Sequence, residues 1–449
     1  EMQDKLARQV QDRPAGSWIY GRGWDESLWP KPLIPTRDDL DAVAPDHAVL
    51  LERADGHSSV ANSLALSRAE ITADTVDPQG GVIVRDAAGR ATGWLKEKAV
   101  NSVERLIPEP SATEWKRGLD VAFRDALANG VTTIQDDTLR MGQRGVEVIE
   151  VLLSMHRNGE LPARVTAWLP FEDPLPALEE WRERLGKDDP WLKAGLLKTN
   201  IDGSGGSLSA AMLAPYSTDP GNSGLLLIEP DRLNEMVAER DEAGFQIGIH
   251  TIGDRANRLI LDAYQFAIET NGSRDARHRI EHAQFVHDDD IDRFAQLDVI
   301  ASMQPCHLLT DMRWAPDILG PEREHEGYRW NSLLKSGATV AFGTDFPVES
   351  IDPMRGLYAA VSREFEEGGP TGGWIPGEAI TIDDAIRAYT ADSAYAEFED
   401  HRKGRLAAGQ LADLVVLSSD LTTIEHARIL ETDVLMTMVG GDIRYRRDE

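Results

Sequence analysis

A single cysteine, Cys306, stands in 449 residues, which excludes an intramolecular disulfide and gives no sign of an oxidising compartment. Lysine is scarce as well, at ten of the 47 basic residues, and those 47 face 77 acidic ones for a formal charge of −30. A surface this acidic repels phosphate backbones and anionic leaflets, so neither nucleic acid nor a membrane surface is an expected partner. No apolar run reaches the ~18 residues of a membrane-spanning helix, and no basic stretch followed by an apolar one opens the chain. Low-complexity tracts are missing too, and with 41% hydrophobic and 28% charged residues the chain reads as a folded, acidic, cytoplasmic protein.

The length exceeds one ordinary domain at ~150 residues and suits a (β/α)₈ barrel carrying insertions. From about residue 115 onward, short β-branched runs alternate with helical patterns, the signature of repeated βα units around a parallel sheet. Seven strands can be counted: Val131–Ile134, Arg164–Leu169, Leu196–Lys198, Ile247–His250, Arg279–His282, Val299–Gln304 and Thr339–Asp345. One strand is missing from eight. Residues 1–110 do not repeat this rhythm and are read as an inserted elaboration on the barrel. Residues 111–395 form the barrel, and 396–449, which read as turn-then-strand from Gly404 through Leu417 and as a strand pair near Val434 to Tyr445, form a small β appendage.

In such a barrel the reactive groups sit at the carboxyl ends of the strands, where the βα loops open. Three strands end in His250, His282 and Asp345, and a fourth ends in Lys198. His250 and His282 lie 32 residues apart, about one βα repeat, and Asp345 follows 63 later, about two. Any one of these alone reads as a hydrogen-bonded structural residue or, for lysine, as a snorkelling chain. As an ordered set they point to one mouth, where imidazoles and a carboxylate are ligands for a borderline divalent cation, zinc before others. Hydrolysis assisted by that metal follows, with a carboxylate moving the proton to the leaving group.

These residues meet a family. HTIGDRA around His250, RIEHAQ around His282, GTDFP around Asp345, Lys198-Thr199-Asn200-Ile201-Asp202-Gly203 before a Gly/Ser-rich loop, and the ending GRLAAGQLADLVVL resemble the amidohydrolase superfamily. The branch is amidohydrolase-3, which includes YtcJ-like proteins and N-substituted formamide deformylases. GRGWDESLW, the run from Asp55 to Ser63, and Gly93 to Glu97 fit the same resemblance, which spans nearly the whole chain. It implies a centre of one or two divalent metals, with Lys198, His250, His282 and Asp345 as ligands and Lys198 carboxylated where it bridges two ions. An uncarboxylated Lys198 is cationic and would repel the metal. Asp345 would also be the general base, taking a proton from the attacking water and passing it to the departing nitrogen. The implied reaction is hydrolysis of a non-peptide C–N bond, an amide or a formamide, in a small-molecule substrate. A homodimer is an assembly open to such barrels, and the resemblance adds a β-sandwich of which the C-terminal strands are one part.

The chain departs from the family in one place: it contains no His-x-His pair, which in the family ends the first barrel strand. The reading therefore expects that strand to be absent and metal binding at the first position to be weakened. A non-catalytic binding or regulatory protein with a degenerate site is the alternative. Four further residues are candidates for substrate contact. His307, after Gln304, faces the substrate or packs under a loop; Asp202 and Arg255 orient a polar substrate or serve as helix cap and ion pair. His57 reaches over the pocket or sits exposed on its loop. Gly203 to Ser207 lacks the lysine and helix spacing of a P-loop and reads as an active-site loop.

Overall fold

The computed structural model describes residues 2–448 apart from 12, 25, 27, 28, 30, 32, 54, 55, 57, 79 and 80. The chain divides into two compact units, Glu1–Ser111 and Ala112–Glu449, so residues 396–449 lie in the second. No helix among the described residues is long and apolar enough to cross a membrane.

The first unit is built on a five-stranded sheet of order β1-β2-β3-β5-β4. Its strands are β1 (Trp18–Trp24), β2 (Ala48–Arg53), β3 (Ser58–Ala61), β4 (Gly81–Arg85) and β5 (Ala91–Glu97). The βα rhythm is not wholly lost here, because β1 and β2 pair in parallel across a crossover that contains the short helix Arg37–Asp41; the remaining pairs are antiparallel. Asn62, just past β3, is fully buried and holds this arrangement. Its Oδ1 accepts from Val49 N and Ala65 N, both at 3.0 Å, while its Nδ2 donates to Ala44 O at 3.1 Å and His47 O at 2.8 Å. Every hydrogen-bonding position of the amide is used, so burial is not penalised.

The second unit is an α/β fold around a curled, seven-stranded, wholly parallel sheet. Its strands are β6 (Thr133–Asp136), β7 (Arg164–Pro170), β8 (Leu192–Asn200), β9 (Ile247–Thr251), β10 (Arg279–His282), β11 (Ile300–Met303) and β12 (Val340–Phe342), in sequence order across the sheet. All seven strands expected from the sequence are present. The last one stops at Phe342, earlier than the expected Asp345, because Gly343, Thr344 and Asp345 leave the sheet. β6 and β12 are the edges of this half-barrel, and β6 is half-buried along its length where β10 and β11 are fully buried.

The central strands are covered on both faces, and every residue of β10 and β11 is buried, the polar Arg279, Glu281, His282 and Ser302 among them. The helices that cover them obey the spacing rule: Asp254–Asn271 buries Ile260, Leu261, Ala263, Tyr264 and Ala267 on one face and is followed by Gly272 at φ +89°. Three aspartates, Asp288 to Asp290, occupy the first turn of Asp288–Gln296, where the N-terminal dipole favours anions.

The amino end of the sheet is closed by polar cross-links from the C-terminal part of the chain. Lys193 Nζ reaches Glu399 Oε1 at 2.7 Å and the Glu397 carbonyl at 2.8 Å. Lys403 Nζ lies 2.5 Å from Glu397 Oε1, whose other oxygen accepts from Thr166 at 2.8 Å. Arg164 grips Asp413 with two bonds of 2.6 and 2.8 Å. Asp413 directly precedes the final three-stranded antiparallel sheet of β13 (Leu414–Leu417), β14 (Val434–Val439) and β15 (Asp442–Arg446).

Candidate metal centre

The strand register decides which side chains share a level at the carboxyl end. Lys198 pairs with Gly248, Asn200 with His250, His250 with Glu281, and Thr251 with His282. His282 ends β10 at φ +76° and Asp345, beyond β12, sits at φ +56°. Left-handed backbone at non-glycine residues is uncommon and clusters where surrounding structure imposes it, often at functional sites.

The side chains converge. The His250 and His282 rings meet edge to face with centroids 4.5 Å apart, and His282 and His307 are nearly parallel at 5.9 Å. Ligand atoms of His282, His307 and Asp345 all lie within 4.8 Å of one another, and His307 Nε2 is 3.4 Å from Asp345 Oδ2. His282 Nδ1 donates to Gln304 Oε1 at 2.7 Å, which leaves its Nε2 lone pair free. His250 Nε2 donates to the Gly203 carbonyl at 3.1 Å. Burial pushes the pKa of His250 well below the usual imidazole range, with the charges of His282 and Lys198 acting in the same direction. Burial lowers His282 and His307 too, against the opposing pull of Asp345. All three rings are therefore held toward the neutral form, the form that binds metal.

Lys198 is buried beneath them, its Nζ 6.0 Å from the centroid of the Trp168 ring. Burial lowers its pKa, while the nearby carboxylates of Asp137 and Glu281 oppose that shift. Arg279 approaches the same Trp168 ring at 5.2 Å and donates to Gln135 Oε1 at 2.6 Å, Ser302 Oγ at 2.8 Å and Glu281 Oε2 at 3.0 Å. This network ties β6, β10 and β11 together under the site. Gly248 makes room for it, since a Cβ there would meet Glu281 Oε1 at 2.9 Å.

The other candidates lie outside the close group of His282, His307 and Asp345. Asp202 is fully buried, and its oxygens accept from the backbone N–H groups of Ala211, Ile252 and Gly253 at 2.9, 3.1 and 2.9 Å. Both oxygens are thereby committed to joining the loop after β8 to the end of β9, 3.9 Å from His250 Nε2, and burial pushes the carboxyl up to about 7. Gly253 belongs to the same joint, because a Cβ there would lie 1.9 Å from the Ala211 carbonyl oxygen. Arg255, second in the helix Asp254–Asn271, is exposed. His57 lies outside the described residues. Three participants were not singled out from sequence: Gln304, Arg279 and Asp137. The last two were visible as a charged residue inside a buried strand and as an acidic strand end; nothing marked Gln304.

A family profile described as the amidohydrolase family matches residues 1–445. The chain belongs to that family, in its amidohydrolase-3 branch. It is 37% identical over 444 residues to Protein LONG AFTER FAR-RED 3 of Arabidopsis thaliana, covering 97% of this chain and 75% of that one. To the putative amidohydrolase YtcJ of Bacillus subtilis it is 30% identical, covering 99% and 83%. To the N-substituted formamide deformylase of Arthrobacter pascens it is 27% identical, covering 100% and 82%. Among solved structures, an uncharacterized metal-dependent hydrolase from Pyrococcus horikoshii OT3 superposes with a TM-score of 0.74 at 28% identity, covering 94% of this chain and 81% of that one.

Proposed function

We propose that this protein is a metal-dependent hydrolase that cleaves a non-peptide C–N bond, an amide or formamide, in a small-molecule substrate. The observation that carries the reading is the convergence of His250, His282 and Asp345 from three separate strand ends, with the two rings 4.5 Å apart and Asp345 within 4.8 Å of His282. Neutral imidazoles beside a carboxylate suit a borderline divalent cation, zinc in this proposal, and Lys198, carboxylated, extends the set. Bound there, one or two such ions polarise the substrate carbonyl and acidify water. Names of relatives, a deformylase and a putative amidohydrolase among them, support the choice of bond.

The chain's own residues do the rest. Asp345, the most exposed member of the cluster, takes the proton of the attacking water and delivers it to the departing nitrogen. Gln304 orients His282, and the Gly203 carbonyl orients His250. Asp202 clamps the loops that form the rim, so that the imidazoles do not drift. The same proposal places the protein in the cytoplasm, alone or as a homodimer.

The test is a panel of N-acyl and N-formyl amines offered to the wild type and to Asp345→Asn in the presence of zinc or manganese. Turnover by the wild type that disappears in the variant supports the reading. Ligand binding without turnover in either protein would overturn it in favour of a binding module.

A further inference from the structure

We infer that His307 is a further protein ligand of the cation, beside His282 and Asp345; the inference rests on the metal-dependent reading above and deepens it. His307 comes from none of the strands. It is the second residue of the short helix Cys306–Asp311 that follows β11.

Four observations place it in the site. First, its Nε2 is buried and makes no hydrogen bond among the described residues, a costly state for an imidazole unless something else takes up the lone pair. Second, that atom lies 3.4 Å from Asp345 Oδ2, yet the two are not aligned as donor and acceptor. Two ligands bonded at ~2.1 Å to a tetrahedral cation stand about 3.4 Å apart, so the separation is the one a shared ion demands. Third, the His282 ring lies nearly parallel to that of His307 at an interplanar angle of 21°, and the Gln304 bond to its Nδ1 turns its remaining nitrogen free for coordination. Fourth, Gln304 serves both histidines: its side chain fixes His282, while its carbonyl accepts from the His307 N–H at 3.1 Å. One residue thus sets the spacing between the two imidazoles.

His250 differs in that its Nε2 is already engaged by the Gly203 carbonyl. The ranking that follows is distinctive: loss of His307 should weaken metal binding more than loss of an outer orienting group such as Gln304.

The experiment is titration of the full 449-residue chain with Co(II), read by the visible d–d absorption of the bound ion, for the wild type, His307→Gln and Gln304→Ala. The expected result is a wild type that binds cobalt, and a His307→Gln variant that binds at least ~30-fold more weakly with a bleached d–d band, since even outer partners of a ligand account for about 10–100-fold. Thermal melts check folding. Should the variant melt early, shielding of His307 from carbethoxylation by zinc in the intact wild type, read by mass spectrometry of its peptide, takes its place. Unchanged cobalt affinity and spectrum in a folded His307→Gln, or no shielding, overturns the ligand assignment and leaves the hydrolase reading standing. A wild type that binds no cobalt overturns both.

Discussion

The two ends of the curled sheet are made from the same strands and treat polar groups in opposite ways. At the amino end, Lys193, Lys403, Arg164, Glu397, Glu399 and Asp413 are all buried or nearly so, and each meets an opposite charge at 2.5 to 2.8 Å. His278 follows the same rule: it accepts from Ile247 N at 3.1 Å and donates to Asp241 at 3.1 Å, and Asp241 is held further by Arg274 at 2.7 Å. At the carboxyl end, His307 Nε2 has no hydrogen bond among the described residues, Asp345 is left open to solvent, and two ligand candidates sit on left-handed backbone. Saturated polar groups make an end that holds; unsaturated ones make an end poised to bind. The contrast separates stability from function within one sheet, as expected where loops at only one face of a barrel carry chemistry.

Substitutions at either end can break that contrast. The largest effect is expected for Asp345→Asn: turnover of an N-formyl or N-acyl amine should fall by about 10³-fold in kcat/KM, while the urea midpoint stays put. A stability loss matching the activity loss would mean that the carboxyl end is structural after all. Next comes Lys403→Met at the amino end, which leaves the buried Glu397 carboxylate without its cation. Here about 3–5 kcal/mol of unfolding free energy should be lost in urea titrations, with cobalt affinity per folded molecule unchanged.

A smaller effect concerns acid. The Asp241 carboxyl is held down at about 2 from an ordinary 3.8; burial opposes this, and the bonds from His278, Asn271 and Arg274 outweigh it. A depressed carboxylate contributes stability that is complete above about pH 4 and drains away as pH falls toward 2. His278, pushed below 6.5 by burial, works in the same direction, because the unfolded chain takes up its proton first as pH drops. Asp241→Asn should therefore cost about 1–2 kcal/mol at neutral pH and flatten the acid limb of a stability profile between about pH 4 and 2. An equally steep limb in the variant would assign the acid sensitivity elsewhere. The smallest effect belongs to Arg255→Ala, an exposed position, where stability should shift by less than about 0.5 kcal/mol and KM by less than twofold. A large rise in KM would return Arg255 to the substrate.

Much of this is legible in the amino-acid sequence. The seven strands could be counted because buried parallel strands are dense in β-branched residues and their helices obey a 3.6-residue period. His250, His282 and Asp345 could be singled out because strand ends recur at βα spacing. The limits were at the joints. Thr339–Asp345 read as one strand, yet pairing stops at Phe342, since Gly343 lets the chain turn and Asp345 take up a left-handed conformation. Asp202 looked like a residue for substrate contact; in three dimensions its oxygens are spent on three backbone amides from two loops. His307 read equally well as packing, because nothing in Pro305-Cys306-His307 reveals that a helix turn will aim the ring at a residue 38 positions later.

Sequence by itself determined the periodic features: an acidic α/β protein, its order of strands, and which residues end them, since each depends on neighbours a few positions away. Only the tertiary structure decided which of those ends share a site and which polar atoms remain unsatisfied. The physical reason is that hydrogen-bond satisfaction is an account kept between distant segments: Gln304 with His282, Gly203 with His250, Glu397 with Lys403. Local spacing carries no record of it.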